Sequence, residues 1–154
     1  MKIIALKLIV TKMELRLNDN NYWNFINEIN WYQISKCKDS KQATNEVKEF
    51  CAKNYDFDTL VELNNFTWDR KNFLKNQIYS FYKSLPSELK NTKYKEFFSD
   101  DFIDDTASHV VGLGKTFYEY ICDNIGEIAS IKNDVVENFR YGICMAQEEV
   151  VLFS

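Results

Sequence analysis

The chain has 154 residues, a formal net charge of −4, 45% hydrophobic residues and 16% aromatic residues. This composition specifies a single globular domain, which at this size buries roughly 70% of the surface its unfolded chain would expose, and it excludes a disordered chain. Acidic and basic residues are interspersed without a long acidic run. That excludes a general phosphate-backbone binder and a nucleic-acid mimic, so nucleic acid is an unlikely partner.

The stretch from Ile3 to Val10 is apolar but interrupted by Lys7, and no small-residue cleavage site follows it. It is too short to span a bilayer, so no membrane association is expected. Leu6, Leu8 and Val10 alternate as in a strand, whereas Ile9, Met13 and Leu17 fit helical spacing. Met1 and Met13 both stand as starts. Residues 1–17 are accordingly an extension or a strand, and residues 18–154 the helical core of one domain spanning 1–154.

Asn18 or Asp19 caps a first helix that carries Tyr22, Trp23, Ile26 and Ile29. Asp39 or Ser40 caps a second, with Ala43, Val47, Phe50 and Cys51 on one face. A long helix runs from Asp58 to Leu85 with Leu60, Leu63, Leu74, Ile78 and Phe81 on its apolar stripe, and Pro86 ends it. A short helical piece holds Leu89, Tyr94, Phe97 and Phe98. Ser99 caps the next helix, and Asp100 and Asp101 sit where the helix dipole favours negative charge. That helix carries Ile103, Ala107, Val110, Phe117 and Ile121. Gly126 punctuates, and Asp134 caps a last helix through Phe139, Ile143 and Val150. One proline and four glycines in the whole chain suit long helices. The pattern predicts an all-α fold of about six helices with an optional N-terminal strand. Leu63, Leu74, Ile78, Phe81, Val110, Phe117, Ile121 and Phe139 are the expected core. The three tryptophans are expected to pack, with Trp31, near a helix end, the one partly exposed.

Cys37, Cys51, Cys122 and Cys144 form no CxxC pair, and the single histidine completes no usual zinc set. Free cysteines in a reducing cytoplasm follow. Gly114-Lys115-Thr116 is a near miss to a phosphate-binding loop. The first glycine of that motif would stand at position 109, which is His109, and no buried strand precedes it. Gly112 and Gly114 read instead as places where a neighbouring helix approaches closely. No cofactor motif is present.

Asp101, Asp105 and His109 are spaced i, i+4, i+8 and form one polar stripe on a helix. Most simply, Asp100 and Asp101 serve the helix start and Asp105–His109 is an ordinary i, i+4 surface pair. The same row also suits a binding surface, or an acid/base or metal-binding constellation. Lys115, Glu119 and Arg140 are placed near it, which makes these six the candidate binding residues. No catalytic or metal-binding residue is assigned.

Several segments carry a family likeness: Ser99-Asp100-Asp101-Phe102, Ser108-His109-Val110-Val111-Gly112-Leu113-Gly114-Lys115, Tyr118-Glu119, and Val136-Glu137-Asn138-Phe139-Arg140-Tyr141. With Tyr22-Trp23 on the first helix, this resembles an uncharacterised bacterial family of small, mainly helical proteins, some found beside WGR-type modules. The resemblance is specific over residues 99–141. It departs at Phe102-Ile103, where a Gly or Ser commonly follows the two aspartates. It implies a helical fold and an association with defence or toxin-immunity neighbourhoods, and it implies no activity. The expected function is that of a small cytoplasmic bacterial or phage protein acting by protein–protein interaction, in immunity, defence or counter-defence, as monomer or homodimer. The alternative is a metal-assisted hydrolase on the Asp101/Asp105/His109 face.

Overall fold

The computed structural model describes residues 17–95 and 99–153. The strand or helix expected before Leu17, and Phe97 and Phe98, lie outside them. The described residues form eight α-helices and no β-strand. In chain order these are α1 (Asp19–Ile29), α2 (Trp31–Ile34), α3 (Ser40–Asn54), α4 (Phe57–Ser84), α5 (Ser87–Asn91), α6 (Asp100–Gly112), α7 (Lys115–Asp123) and α8 (Phe139–Phe153). Short 3-10 segments at Ser35–Cys37 and Ile125–Ile131 join them. No helix among the described residues is long and apolar enough to cross a membrane.

The helix starts follow the expected chemistry. The Asn18 side chain accepts from the backbone N–H groups of Asn20 and Asn21, and the Asn21 side chain accepts from the backbone of Asn18. Asp39 accepts from Gln42 N, Asp56 from Thr59 N, and Ser99 from Phe102 N. Each occupies one of the donors a helix start leaves open.

Two helices more than expected arise at two backbone breaks. Asn30 takes the left-handed conformation, φ 61°, which ends α1 and starts α2 as a separate turn. Gly114, at φ +107°, divides the helix expected to run from Ser99 to Ile121 into α6 and α7. A side chain is strained at that φ, so Gly114 serves the break, and it also keeps the expected close approach, because a Cβ there would lie 3.1 Å from Asn27 Oδ1 on α1.

The last helix starts at Phe139, not at Asp134. The backbone N–H of Val136 is committed to His109, and Asn138 sits at φ 76°, so the chain turns into α8 only after that contact. Asp134 is exposed in the preceding turn.

The 28-residue α4 is the central element and packs against α6 and α8. Helices α3 and α8 approach closely over Gly142, where a Cβ would lie 2.7 Å from the Val47 side chain. Leu63, Leu74, Ile78, Val110, Ile121 and Phe139 are all fully buried, as their spacing requires. Phe81 and Phe117 are only half-buried, so two of the eight expected core residues stand at its edge. The tryptophans reverse their expected roles, because Trp31 is fully buried whereas Trp68 is 44% exposed. The turn at Asn30 swings Trp31 inward onto Phe139, with ring centroids 5.1 Å apart.

Candidate functional site

The six candidate residues divide among three places. His109 belongs to the interior. It is 3% exposed, and its Nδ1 accepts from the Trp31 indole N–H at 3.0 Å and from the Val136 backbone N–H at 3.3 Å. Two donors on one nitrogen leave Nδ1 without a proton, which places the ring proton on Nε2. Burial holds the imidazole's pKa down at about 4, against small opposing effects from Asp134 and the Val136 contact. His109 is therefore neutral at physiological pH. The expected surface pair with Asp105 is not formed, and the polar stripe is not a continuous exposed face. The helix turns Asp101 to solvent and seats His109 in the core, because α6 is covered by α2 and by the segment before α8.

Lys115 and Glu119 occupy a second place. They face each other at 3.8 Å on the exposed side of α7. Both line a shallow pocket with Asp19, Trp23, Arg70 and Tyr118. The Arg70 guanidinium lies over the Tyr22 ring at 4.3 Å and pairs with Asp19, and Tyr118 donates its hydroxyl to the Arg70 carbonyl. These contacts tie α1, α4 and α7 together.

The third place holds Asp101 and Asp105 on α6 and Arg140 on α8. It is built around Trp68 on α4. The Lys71 ammonium sits 4.0 Å from the Trp68 ring centroid and the Arg140 guanidinium 4.5 Å from it, so two cations hold the exposed indole. Lys71 is itself buried, and its ammonium donates to Asp104 at 2.8 Å; Lys75 donates to the same carboxylate oxygen at 3.4 Å. Burial alone would raise the Asp104 pKa, but these two lysines hold it below the ordinary value. Ser108 anchors the start of α8 by accepting from Arg140 N at 3.3 Å. The Arg140 Nε–H is shielded from solvent and meets no acceptor among the described residues.

Asp105 is the unmatched member. Partial burial first, and then the carboxylates of Glu137, Asp104 and Asp101, push its pKa up to about 6. Its lysine neighbour Lys71 is already engaged by Asp104. An ionised Asp105 thus opposes folding. The penalty is absent below about pH 4, where the carboxyl is protonated folded or unfolded, and grows as pH rises through 6. Asp105→Asn is expected to stabilise the protein by about 0.5–1 kcal/mol at pH 7.5, a figure reduced for solvent screening at a half-exposed group. The gain should vanish at pH 4, and urea unfolding at the two pH values measures it.

Two features of this surface escaped sequence reasoning. Trp68 and Lys71 share an i, i+3 face of α4, a mixed aromatic and cationic signal legible in the sequence. That Arg140 would close the other side of the indole depends on how α8 meets α4, which no local pattern encodes. Among the described residues no three His, Cys, Asp or Glu side chains converge so as to hold a metal ion. His109 Nδ1 is occupied by two donors, and Asp105 feels the carboxylate of Glu137. No family model, no curated protein and no solved structure matches this chain.

Proposed function

We propose that this protein is a protein-interaction module whose recognition surface is centred on Trp68, with Asp101, Asp105, Glu137 and Arg140 around it. The observation that carries this reading is Asp105. A carboxylate held among three others, with its nearest lysine engaged elsewhere, carries a folding penalty that a partner's basic side chain would relieve. The exposed indole beside it has the makeup of an interface anchor. Tryptophan and arginine dominate such anchors, and here Trp68 is already oriented by Lys71 and Arg140. The setting that goes with this reading is immunity, defence or counter-defence in a bacterial or phage cytoplasm. The chain's acidity, which steers association with basic partners, supports it.

The test is stoichiometric capture from the native host with the tagged full chain, followed by the variants Trp68→Ala and Asp105→Asn. The partner should be recovered with wild type and reduced about tenfold or more with either variant, as expected at a central anchor. Recovery should be weaker at pH 5.5 than at pH 7.5, because Asp105 is protonated at the lower value. Asp105→Asn should lose the partner while gaining stability, and those opposite signs distinguish a binding residue from a structural one. Undiminished capture by both variants would sink this assignment of the surface.

A further inference from the structure

A second site lies on the other side of His109 and shares no residue with the Trp68 surface. A cavity of about 410 Å³ is lined by Tyr32, Ser35, Lys36, Lys38, His109, Leu113, Phe117, Ile131 and Asp134. Its walls are the aromatic rings of Tyr32 and Phe117 and the aliphatic side chains of Leu113 and Ile131. His109 is the one deeply buried polar ring in the wall, and its Nδ1 is taken by Trp31 and Val136. The ring proton is consequently on Nε2, and Nε2 meets no acceptor among the described residues. The charged groups are Lys36, Lys38 and Asp134, two lysines against one carboxylate. Lys38 and Asp134 face each other at 3.9 Å, while Lys36 lies over the Tyr32 ring at 4.5 Å. A half-open, mainly apolar groove with one fixed, unengaged N–H in its wall and a net positive charge at exposed lysines is the arrangement of a small-molecule site.

We propose that this cavity binds a planar aromatic carboxylate whose far end carries a hydrogen-bond acceptor, the ring lying between Phe117 and Tyr32, the acceptor on His109 Nε2–H and the carboxylate at Lys36 and Lys38. A ligand lacking the acceptor would cover that N–H without pairing it, which is why such sites discriminate strongly between otherwise identical shapes.

Two isosteric probes separate these elements, quinoline-6-carboxylate with a ring nitrogen opposite its carboxylate and naphthalene-2-carboxylate without one. Titration calorimetry on the full chain at pH 7.5 should give a dissociation constant for the quinoline about tenfold or more below that for the naphthalene, the range expected of one buried hydrogen bond. Lys36→Ala combined with Lys38→Ala, two exposed positions whose loss leaves the core untouched, should weaken both probes by about tenfold. Phe117→Trp, which fills the chamber, should abolish binding of both. Equal affinity for the two probes, affinity unaltered by the double lysine variant, or no binding of either at 1 mM (a saturation limit of about −4 kcal/mol) would each overturn the proposal. Should Phe117→Trp fail to fold, the probe pair and the lysine variant decide alone.

Discussion

His109→Ala is expected to cost about 4–5 kcal/mol at neutral pH, a large share of the roughly 5–15 kcal/mol that holds a domain of this size folded. Three losses add. The imidazole leaves a cavity in a packed core. The buried Trp31 indole N–H and the buried Val136 backbone N–H both lose their acceptor. His109→Gln, which retains an acceptor, should lose only about half as much. The same residue sets an acid limit. Its folded pKa of about 4 lies below its ordinary value of 6.5, so the unfolded chain takes up a proton that the folded one refuses. Stability is then complete above pH 6.5 and falls as pH drops to 4, by about 3 kcal/mol, and stays level below. Asp105 acts in the opposite direction over much of that window, by up to about 1 kcal/mol after allowance for its exposure. Urea unfolding from pH 4 to 7.5 should therefore show a net acid loss in the wild type. His109→Gln should abolish that loss and leave only the shallow gain at low pH from Asp105. A wild type equally stable at pH 4.5 and 7 would mean that His109 is not buried neutral.

Gly112→Ala is the second large effect. Helix propensity alone would make it stabilising by about 1 kcal/mol. The tertiary contacts reverse the sign. A Cβ at Gly112 would lie 2.6 Å from Trp31 Cδ1 and 2.8 Å from Phe139 Cδ1. Neither ring is free to retreat, since both are fully buried and the Trp31 indole is tethered to His109 Nδ1. Overpacking of a rigid core should outweigh the propensity gain and leave a net loss of about 2–3 kcal/mol. Chemical denaturation reads it directly. A stabilised Gly112→Ala would show that the Trp31 ring has room that its surroundings do not offer.

These two residues mark where sequence reading stops. The i, i+4, i+8 spacing of Asp101, Asp105 and His109 is a fact of the chain, but spacing assigns a face and not what covers it. His109 is buried because the turn at Asn30 brings Trp31 over α6 and because Val136 returns to donate to the same nitrogen. One partner lies 78 residues before it and the other 27 after it. Gly112 was legible as a close approach; the identity of the approaching ring was not. Trp68 and Trp31 exchanged roles for the same reason, since both sit on amphipathic stretches and only the packing of the other helices selects which ring is enclosed.

The helix starts at Asn18 or Asp19, at Asp39 or Ser40 and at Ser99, the stop at Pro86 and the burial of Leu63, Leu74, Ile78, Val110, Ile121 and Phe139 were determined by the sequence alone. Capping, the proline restriction and the 3.6-residue period all act within a few residues of one another. The tertiary structure alone decided the division at Gly114, the late start of α8, the neutral core histidine and the juxtaposition of Trp68 with Arg140. Each of these depends on groups far apart in the chain, and burial, desolvation and charge proximity act only once folding has brought them together.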